Sequence, residues 1–218
     1  MPGERFHLEK AYPDHFSLED IEVHRGPWTN LACPGSKKKC RHCGNHVAHT
    51  GCMIVAIDGA CSNNGKLGAL SAFAVYFGPG NHYNTARTSH FRERHTSQLA
   101  ELDACLEALM LVARIQAEQT FDNGIDIVVI KSDSEYVVRG LTEWMPKWKK
   151  NNWKNSRGTP VANAMEFMLL GALIGQLQEQ MSVKFWLVPR ELNVEADSLA
   201  KSALESRIRD RDYSNDDL

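Results

Sequence analysis

Long apolar runs are absent from this chain of 218 residues, and no stretch approaches the ~20 apolar residues of a membrane-spanning helix. The opening MPGERF has neither the apolar core of a signal peptide nor the acid-poor character of a transit peptide. The formal net charge is only −2, which argues against indiscriminate adhesion to nucleic acid but leaves room for local basic patches. We therefore expect an intracellular protein, nuclear or cytoplasmic, that is not secreted and binds no membrane.

The composition is that of a globular protein, with 43% hydrophobic and 24% charged residues. Residues 1–51 show little periodicity and collect four prolines, so we interpret them as an irregular extension. Residues 52–207 predict a mixed-sheet α/β domain, and residues 208–218 predict a frayed, charged tail. Within the domain, the patterns predict strands near 53–57, 70–77, 82–88, 125–130 and 183–188, and helices near 97–116, 161–178 and 193–207.

Four carboxylates occupy unusual places in this pattern. Asp58 and Asp133 directly follow apolar strand patterns, Glu101 lies in the inward row of a long helix, and Asp197 lies near the start of the last helix. Converging acids repel one another and lose hydration unless a cation lies between them, and hard divalent cations prefer oxygen ligands. Taken singly, Asp133 and Asp197 could instead serve a helix N-terminus, and Asp58 could be a turn residue.

The four acids lie within four short motifs: Asp58-Gly59-x-Cys61-Ser62-x-Asn64-Gly65, Thr96-x-Gln98-x-Ala100-Glu101, Ser132-Asp133-Ser134 and Glu195-Ala196-Asp197-x-Leu199-Ala200. In motif order, spacing and flanking residues, the stretch 54–203 resembles the catalytic domain of ribonuclease H type 1. The resemblance implies an α/β fold with a five-stranded mixed sheet flanked by helices and a basic handle segment.

The same resemblance implies an endoribonuclease that cleaves the RNA strand of RNA–DNA hybrids and leaves 5′-phosphate and 3′-hydroxyl ends. We expect the protein to be a monomer. It assigns Asp58, Glu101, Asp133 and Asp197 as ligands of two Mg²⁺ ions, for which Mn²⁺ can substitute. Such an ion pair holds the attacking water and stabilises the departing 3′ oxygen. The alternative is a non-cleaving hybrid-binding module on the same fold. Retention of all four acids argues against it, because uncompensated buried charge is costly.

Substrate contacts also follow from the motif match. Asn64, Ser97 and Gln98 are the candidates for contact with RNA 2′-hydroxyls, the group that separates RNA from DNA. The segment 143–157 holds three tryptophans and five basic residues and resembles the family's handle. The alternatives are turn and cap duty for the first group and simple packing of the tryptophans for the second. The resemblance assigns DNA-strand and phosphate contacts to Arg94, Thr96, Trp144, Trp148, Ser156 and Asn163.

The pattern breaks just before the last aspartate. Many members of the family carry a histidine in a flexible loop there, whereas here residues 188–194 run almost directly into the motif of Asp197. Because that histidine is associated with proton transfer and product release, we hypothesise reduced but real activity. Arg190 or Glu191 could substitute for it, or either could simply be a surface residue.

Four of the six cysteines fall in or beside the extension. The spacing Cys40-x-x-Cys43 is common among zinc ligands, and the segment shows little other means of folding. We therefore predict a structural zinc site formed by Cys33, Cys40, Cys43 and Cys52, with a nearby histidine as an alternative fourth ligand. The competing interpretation is a set of free thiols in a loose extension. Cys61 and Cys105 are expected to be small core residues.

Overall fold

The structure is a computed structural model in which residues 3–89, 94–122 and 124–216 are described, the last five without their side chains. Within these ranges the strands are β1 (Glu4–Arg5), β2 (Glu22–Arg25), β3 (Trp28–Ala32), β4 (Ala48–Ser62), β5 (Leu70–Tyr76), β6 (Thr85–Thr88), β7 (Ile127–Ser132) and β8 (Ser182–Leu187). The α-helices are α1 (Leu8–Ala11), α2 (Ser97–Glu118), α3 (Glu135–Arg139), α4 (Met145–Lys150), α5 (Ala164–Leu177) and α6 (Val194–Asp216). A π-helical turn, Gly140–Trp144, joins α3 to α4.

The long strand β4 organises a single mixed sheet. Its first half pairs in parallel with β7, and its second half pairs antiparallel with β5. Strand β7 continues in parallel to β8, and β5 pairs antiparallel with β6. All five strands predicted between residues 52 and 207 are therefore present, and the α/β mixed-sheet prediction is confirmed.

Successive residues of β4 point to opposite faces of the sheet, as strand geometry requires. Met53, Val55 and Ile57 belong to the main core, which lies between the sheet and helices α2 and α5. Cys52 and Ile54 point the other way, into a second core. This alternation determines which face carries each of the polar residues that follow Ile57.

The predicted irregular extension over residues 1–51 is instead ordered over its described part. Strands β2 and β3 form an antiparallel hairpin that pairs with the start of β4, and β1 pairs in parallel with β8 at the far edge. The aromatic side chains of Phe6, Tyr12 and Phe16 bury the second face of the sheet. The sequence pattern missed this because the strands are short and the apolar residues are scattered between turns.

The last helix is longer than predicted. It continues to Asp216, through most of the segment that we expected to fray. One anchor for this extension is the guanidinium of Arg211, which donates a hydrogen bond to the carbonyl oxygen of Gly68 at 2.8 Å. Residues 217–218 lie outside the described residues.

Helix α2 runs from Ser97 to Glu118, close to the predicted bounds. The hydroxyl of Thr96 accepts a hydrogen bond from the backbone N–H of Leu99 at 3.2 Å and caps its N-terminus. The helix buries small residues, including Ala100, Ala104 and Ala108, and so lies close to the sheet. In the described ranges no helix is both long enough and apolar enough to cross a membrane.

Candidate active site

Three of the four predicted acids meet at the carboxyl end of the central strands. Asp58 lies in β4, Asp133 directly follows β7, and Glu101 lies in the first turns of α2. One carboxylate oxygen of each residue lies within 4.8 Å of the others. Among the described residues, this is the only group of three or more His, Cys, Asp or Glu side chains close enough to share a metal ion.

A close approach of helix to strand brings Glu101 into this group. A Cβ atom on Gly59 would lie 2.3 Å from the backbone nitrogen of Glu101 and 2.5 Å from the carbonyl carbon of Ala100. Only glycine therefore lets α2 pack this tightly on β4. The backbone of Gly59 also acts to lower the pKa of the Glu101 carboxyl, against the larger effect of burial.

Burial and mutual repulsion make these acids hard to ionise. Asp58 is only 4% exposed, and burial, followed by the charges of Asp133 and Asp197, raises its pKa to about 7. Burial raises the pKa of Glu101 well above its ordinary value, and the charges of Asp58 and Asp133 add to that effect. One oxygen of Glu101 is buried without a hydrogen-bond partner in the described structure. The three carboxyl groups of Asp58, Glu101 and Asp133 therefore lack a neutralising cation within the described structure.

Asn193, which directly precedes α6, connects three parts of the site. Its side chain is fully buried, and its amide donates to the backbone oxygen of Ile57 at 2.9 Å and to the Asp133 carboxylate at 3.0 Å. Its own carbonyl accepts the N–H of Asp197 at 3.1 Å and so begins α6. One residue therefore holds the end of β4, the acid after β7 and the start of α6 in a common arrangement.

Asp197, the fourth predicted acid, is already partnered by cations. Arg190 donates a short hydrogen bond to one carboxylate oxygen, and Lys201 donates to the other at 2.7 Å. Burial alone would raise the pKa of Asp197, but the hydrogen bonds from Lys201 and Arg190 outweigh it and leave the pKa below its ordinary value. Asp197 is near enough for its charge to act on Asp58, yet it lies outside the group of three.

The donor set fits a divalent cation. Three carboxylates converge, two of them have raised pKa values, and one oxygen lacks a hydrogen-bond partner in the described structure. A bound divalent ion would offset the repulsion and ligate that oxygen, and an all-oxygen donor set suits a hard ion. The sequence alone does not reveal that Asp197 is paired with side-chain cations while the other three acids converge without one in the described structure.

Residues predicted to contact RNA lie beside this group, at the start of α2. The side-chain oxygen of Asn64 accepts a hydrogen bond from the backbone N–H of Ser97 at 3.0 Å, and Gln98 is exposed on the next position. Arg94, predicted to bind phosphate, packs near Gly65, where an added Cβ would lie 3.2 Å from its guanidinium. Asn64 thus has a structural role of the kind that we considered, whereas the N-cap of α2 is Thr96 and not Ser97.

The handle forms an aromatic surface on the π-helical turn and α4. Trp144 and Trp148 have ring centroids 5.9 Å apart, and Trp148 also packs edge-on against Phe167 of the main core at 5.0 Å. Asn163 donates from its amide to the hydroxyl of Tyr136 at 2.9 Å, beside the same surface. Ser156 lies in an exposed turn further along the handle. Trp148 therefore packs in the fold, as the alternative interpretation held, while remaining partly exposed.

The four predicted zinc ligands do not meet. Pairing of β3 with β4 fixes Cys52 in the sheet, where it is buried in the second core with its sulfur 3.3 Å from His49 Nδ1. Cys40 and Cys43 are exposed in the connection between these strands, and Cys33 is partly buried. The structure therefore does not bring Cys33, Cys40, Cys43 and Cys52 together as a group of metal ligands, and the zinc site stays a prediction. Of the two other cysteines, Cys105 is fully buried as expected and Cys61 only partly.

Comparison with known proteins identifies relatives along most of the chain. A sequence model of the RNase H family matches residues 50–205. Ribonuclease H1 of Homo sapiens is 32% identical over 191 residues, which cover 86% of this chain and 60% of the human protein. Ribonuclease H of Clostridium botulinum is 31% identical over 158 residues, which cover 70% of this chain and 95% of that protein.

Solved structures show the same fold at lower identity. The foamy viral protease–reverse transcriptase in complex with dsDNA aligns with a TM-score of 0.52 at 20% identity, over 70% of this chain and 94% of that chain. The PFV RNase H domain in solution aligns with a TM-score of 0.51 at 17% identity, with the same coverage. The chain spans only 60% of the human relative and 49% of the mouse and rat relatives that it matches.

Proposed function

Because the chain belongs to the RNase H family, we propose that it is an endoribonuclease that hydrolyses the RNA strand of RNA–DNA hybrids in a metal-dependent reaction. The observation that carries the proposal is the group of Asp58, Glu101 and Asp133, whose carboxylates lie within 4.8 Å and have no side-chain cation between them in the described structure. Products with 5′-phosphate and 3′-hydroxyl ends follow from attack of water on the phosphorus with departure of the 3′ oxygen.

We assign Asp58, Glu101 and Asp133 as the principal ligands of Mg²⁺, with Mn²⁺ as a substitute, and Asp197 as the fourth ligand. Two such ions, when bound, would activate the attacking water and stabilise the leaving oxygen. The protein's own contribution is to fix the ligands before metal arrives. Gly59 sets the distance of α2 from β4, and Asn193 orients the Asp133 carboxylate.

Of the two residues considered as substitutes for the family's loop histidine, Arg190 is the one that contacts the site. Its guanidinium donates a hydrogen bond to Asp197, and its charge partly offsets the rise in the pKa of Asp58 and Glu101. An arginine stays protonated throughout the physiological range, so it cannot shuttle a proton as histidine does. We propose that Arg190 positions Asp197 and offsets charge near the cleaved phosphate. Glu191 offers no comparable contact to the site in the described structure.

Recognition of the hybrid is proposed to use both sides of the site. We assign Asn64, Ser97 and Gln98 to contacts with RNA 2′-hydroxyls, and the hydrogen bond of Asn64 to the backbone of Ser97 at the start of α2 supports a shared role. The aromatic surface of Trp144 and Trp148, flanked by the lysines of α4, is suited to the sugars and phosphates of the DNA strand. We assign further contacts with the DNA strand and its phosphates to Arg94, Thr96, Ser156 and Asn163.

Substitution of Asp133 by Asn tests the proposal. The parent protein with Mg²⁺ is expected to cleave a labelled RNA–DNA hybrid and to leave duplex RNA and duplex DNA of the same sequence intact. The Asp133→Asn variant should cleave the hybrid at least about a hundredfold more slowly, because the substitution neutralises a metal ligand that must carry negative charge. Its binding of the hybrid should persist. Asp14→Asn, the same change at an exposed position, is the matched control. A parent that binds the hybrid but leaves it intact in both Mg²⁺ and Mn²⁺ would support the non-cleaving module instead.

A further inference from the structure

A buried lysine lies directly behind the carboxylate group. The side chain of Lys131 is only 3% exposed. In the parallel pairing of β4 with β7, Lys131 stands opposite Ala56. Because side chains alternate along a strand, the next residue of β4 on that same face is Asp58, about 7 Å further along, and Asp133 directly follows the end of β7. Lysine is almost never buried without a partner, so its charge requires an explanation.

The partner of Lys131 comes from the N-terminal hairpin. The ammonium donates to the Glu22 carboxylate at 2.6 Å, across 109 positions of sequence. Glu22 is the first residue of β2, and its side chain is mostly shielded from solvent. In contrast, the cations whose charges act on Asp58 are Arg190 and Lys201, which approach from the side of α6. Lys131 therefore faces the hairpin rather than the carboxylates.

We propose, resting on the metal-dependent function above, that Glu22 is a positioning residue for the metal site: it neutralises Lys131 and holds its ammonium away from Asp58 and Asp133. The flexible four-carbon stem of lysine can span the about 7 Å between successive residues on one strand face. Without Glu22, the ammonium would either turn to these carboxylates or remain behind them as an uncompensated charge. Either outcome would weaken the binding of a divalent cation to these carboxylates.

This assignment gives the N-terminal hairpin a role in the chemistry. The hairpin lies before the region matched by the family, residues 50–205, and therefore adds a contact to the site from outside that region. Metal affinity would then depend on whether β2 is seated against the sheet. The effect requires no change in any metal ligand, because it acts only through the charge balance behind them.

Calorimetric titration of Mn²⁺ into the full chain, without substrate, tests the proposal directly. Glu22→Gln is expected to raise the Kd for Mn²⁺ about tenfold, as repulsion between a unit charge and a divalent ion about 7 Å apart suggests at a dielectric near that of a solvated site. Lys131→Met should bind at least as tightly as the parent, and the double variant should return to within about twofold of the parent. Glu19→Gln, an exposed acid of the same segment, is the matched control and should change nothing.

The variants separate this proposal from the proposed function. If the parent binds Mn²⁺ and cleaves hybrid while Glu22→Gln binds Mn²⁺ equally well, the positioning role is wrong and the proposed function stands. If the parent binds no divalent cation, both are wrong. Should Glu22→Gln fail to fold, Lys131→Met decides: undiminished affinity supports the proposal, and a loss of affinity overturns it, because the ammonium would then be assisting the site.

Discussion

Substituting Gly59 by alanine offers the sharpest test of how this fold builds its site. The added methyl group would lie 2.3 Å from the Glu101 nitrogen and 2.5 Å from the Ala100 carbonyl carbon. Both are backbone atoms of a helix, so no rotamer change relieves the clash. To reach ordinary contact at 3.4 Å, α2 and β4 must separate locally by about 1 Å.

Two consequences follow from that displacement. Overpacking of this kind destabilises a protein by about 1–3 kcal/mol, which for a chain of this size lowers Tm by about 2–12 °C. The same movement shifts Glu101 away from Asp58 and Asp133, and a misplacement of about 1 Å in a catalytic group can reduce the rate about a hundredfold. Activity should therefore fall far more than the loss of folded protein accounts for.

The assay is initial-rate cleavage of a labelled RNA–DNA hybrid at a temperature where both proteins are folded, with Tm measured by circular dichroism. Gly35→Ala is the matched control, because a methyl group there would meet only the Cys33 sulfur, at an ordinary 3.8 Å. A folded Gly59→Ala protein that cleaves within twofold of the parent would refute the argument that this close approach positions Glu101.

Three further predictions concern the remaining contacts of the site. Asn193→Ala removes the amide that bonds to Ile57 and Asp133, so unfolding in urea should show a loss of about 1–3 kcal/mol, and an unchanged midpoint would contradict the role assigned to it. Arg190→Ala removes a charge-assisted hydrogen bond to Asp197 and should slow cleavage about 10–100-fold, whereas Glu191→Ala should stay within twofold. Burial raises the pKa of Asp58 to about 7 and that of Glu101 well above its ordinary value, so a bound metal must displace protons from these carboxyls at low pH. Mn²⁺ affinity measured by calorimetry should therefore rise with pH through about 7, and a flat profile from pH 5.5 to 8.5 would be inconsistent with this.

The sign of that pH effect also applies to stability. In the metal-free protein the folded-state pKa of Asp58 lies above its ordinary value of 3.8, so the folded state retains this proton to higher pH than the unfolded chain. Its contribution to the free energy of unfolding is therefore greatest below pH 4 and is lost as pH rises through 7. A bound cation reverses the preference by favouring the ionised carboxylate.

Sequence reasoning located the acids because strand ends leave a strong local signal. Asp58 and Asp133 each follow a continuous apolar run, and the inward row of α2 marks Glu101 as a residue facing the sheet. Parallel pairing of β4 with β7 then brings the two strand-end acids to the same edge. These patterns involve residues only a few positions apart, so a single sequence is enough to predict where the acids lie.

The N-terminal strands and the charge pairs escaped prediction for the opposite reason. Strand β1 has only two residues and β2 only four, too few for a readable alternation. Their order comes from pairing with β8 and β3 and from burying scattered aromatic side chains. The contact between Glu22 and Lys131 joins residues 109 positions apart, so the local sequence around either residue does not predict it. Nor does the spacing of the cysteines indicate that pairing of β3 with β4 carries Cys52 into the sheet.

Charge balance explains why the four acids of the site have unequal environments. If every carboxylate had a side-chain cation of its own, a divalent ion would have to displace those cations and its affinity would fall. If none had one, four converging charges would oppose folding before metal bound. Here Arg190 and Lys201 neutralise Asp197, whereas Asp58, Glu101 and Asp133 are left to a metal ion. A further buried cation on the same sheet face would upset that division, and this is why the pairing of Lys131 with Glu22 bears on the metal site and not only on the stability of the hairpin.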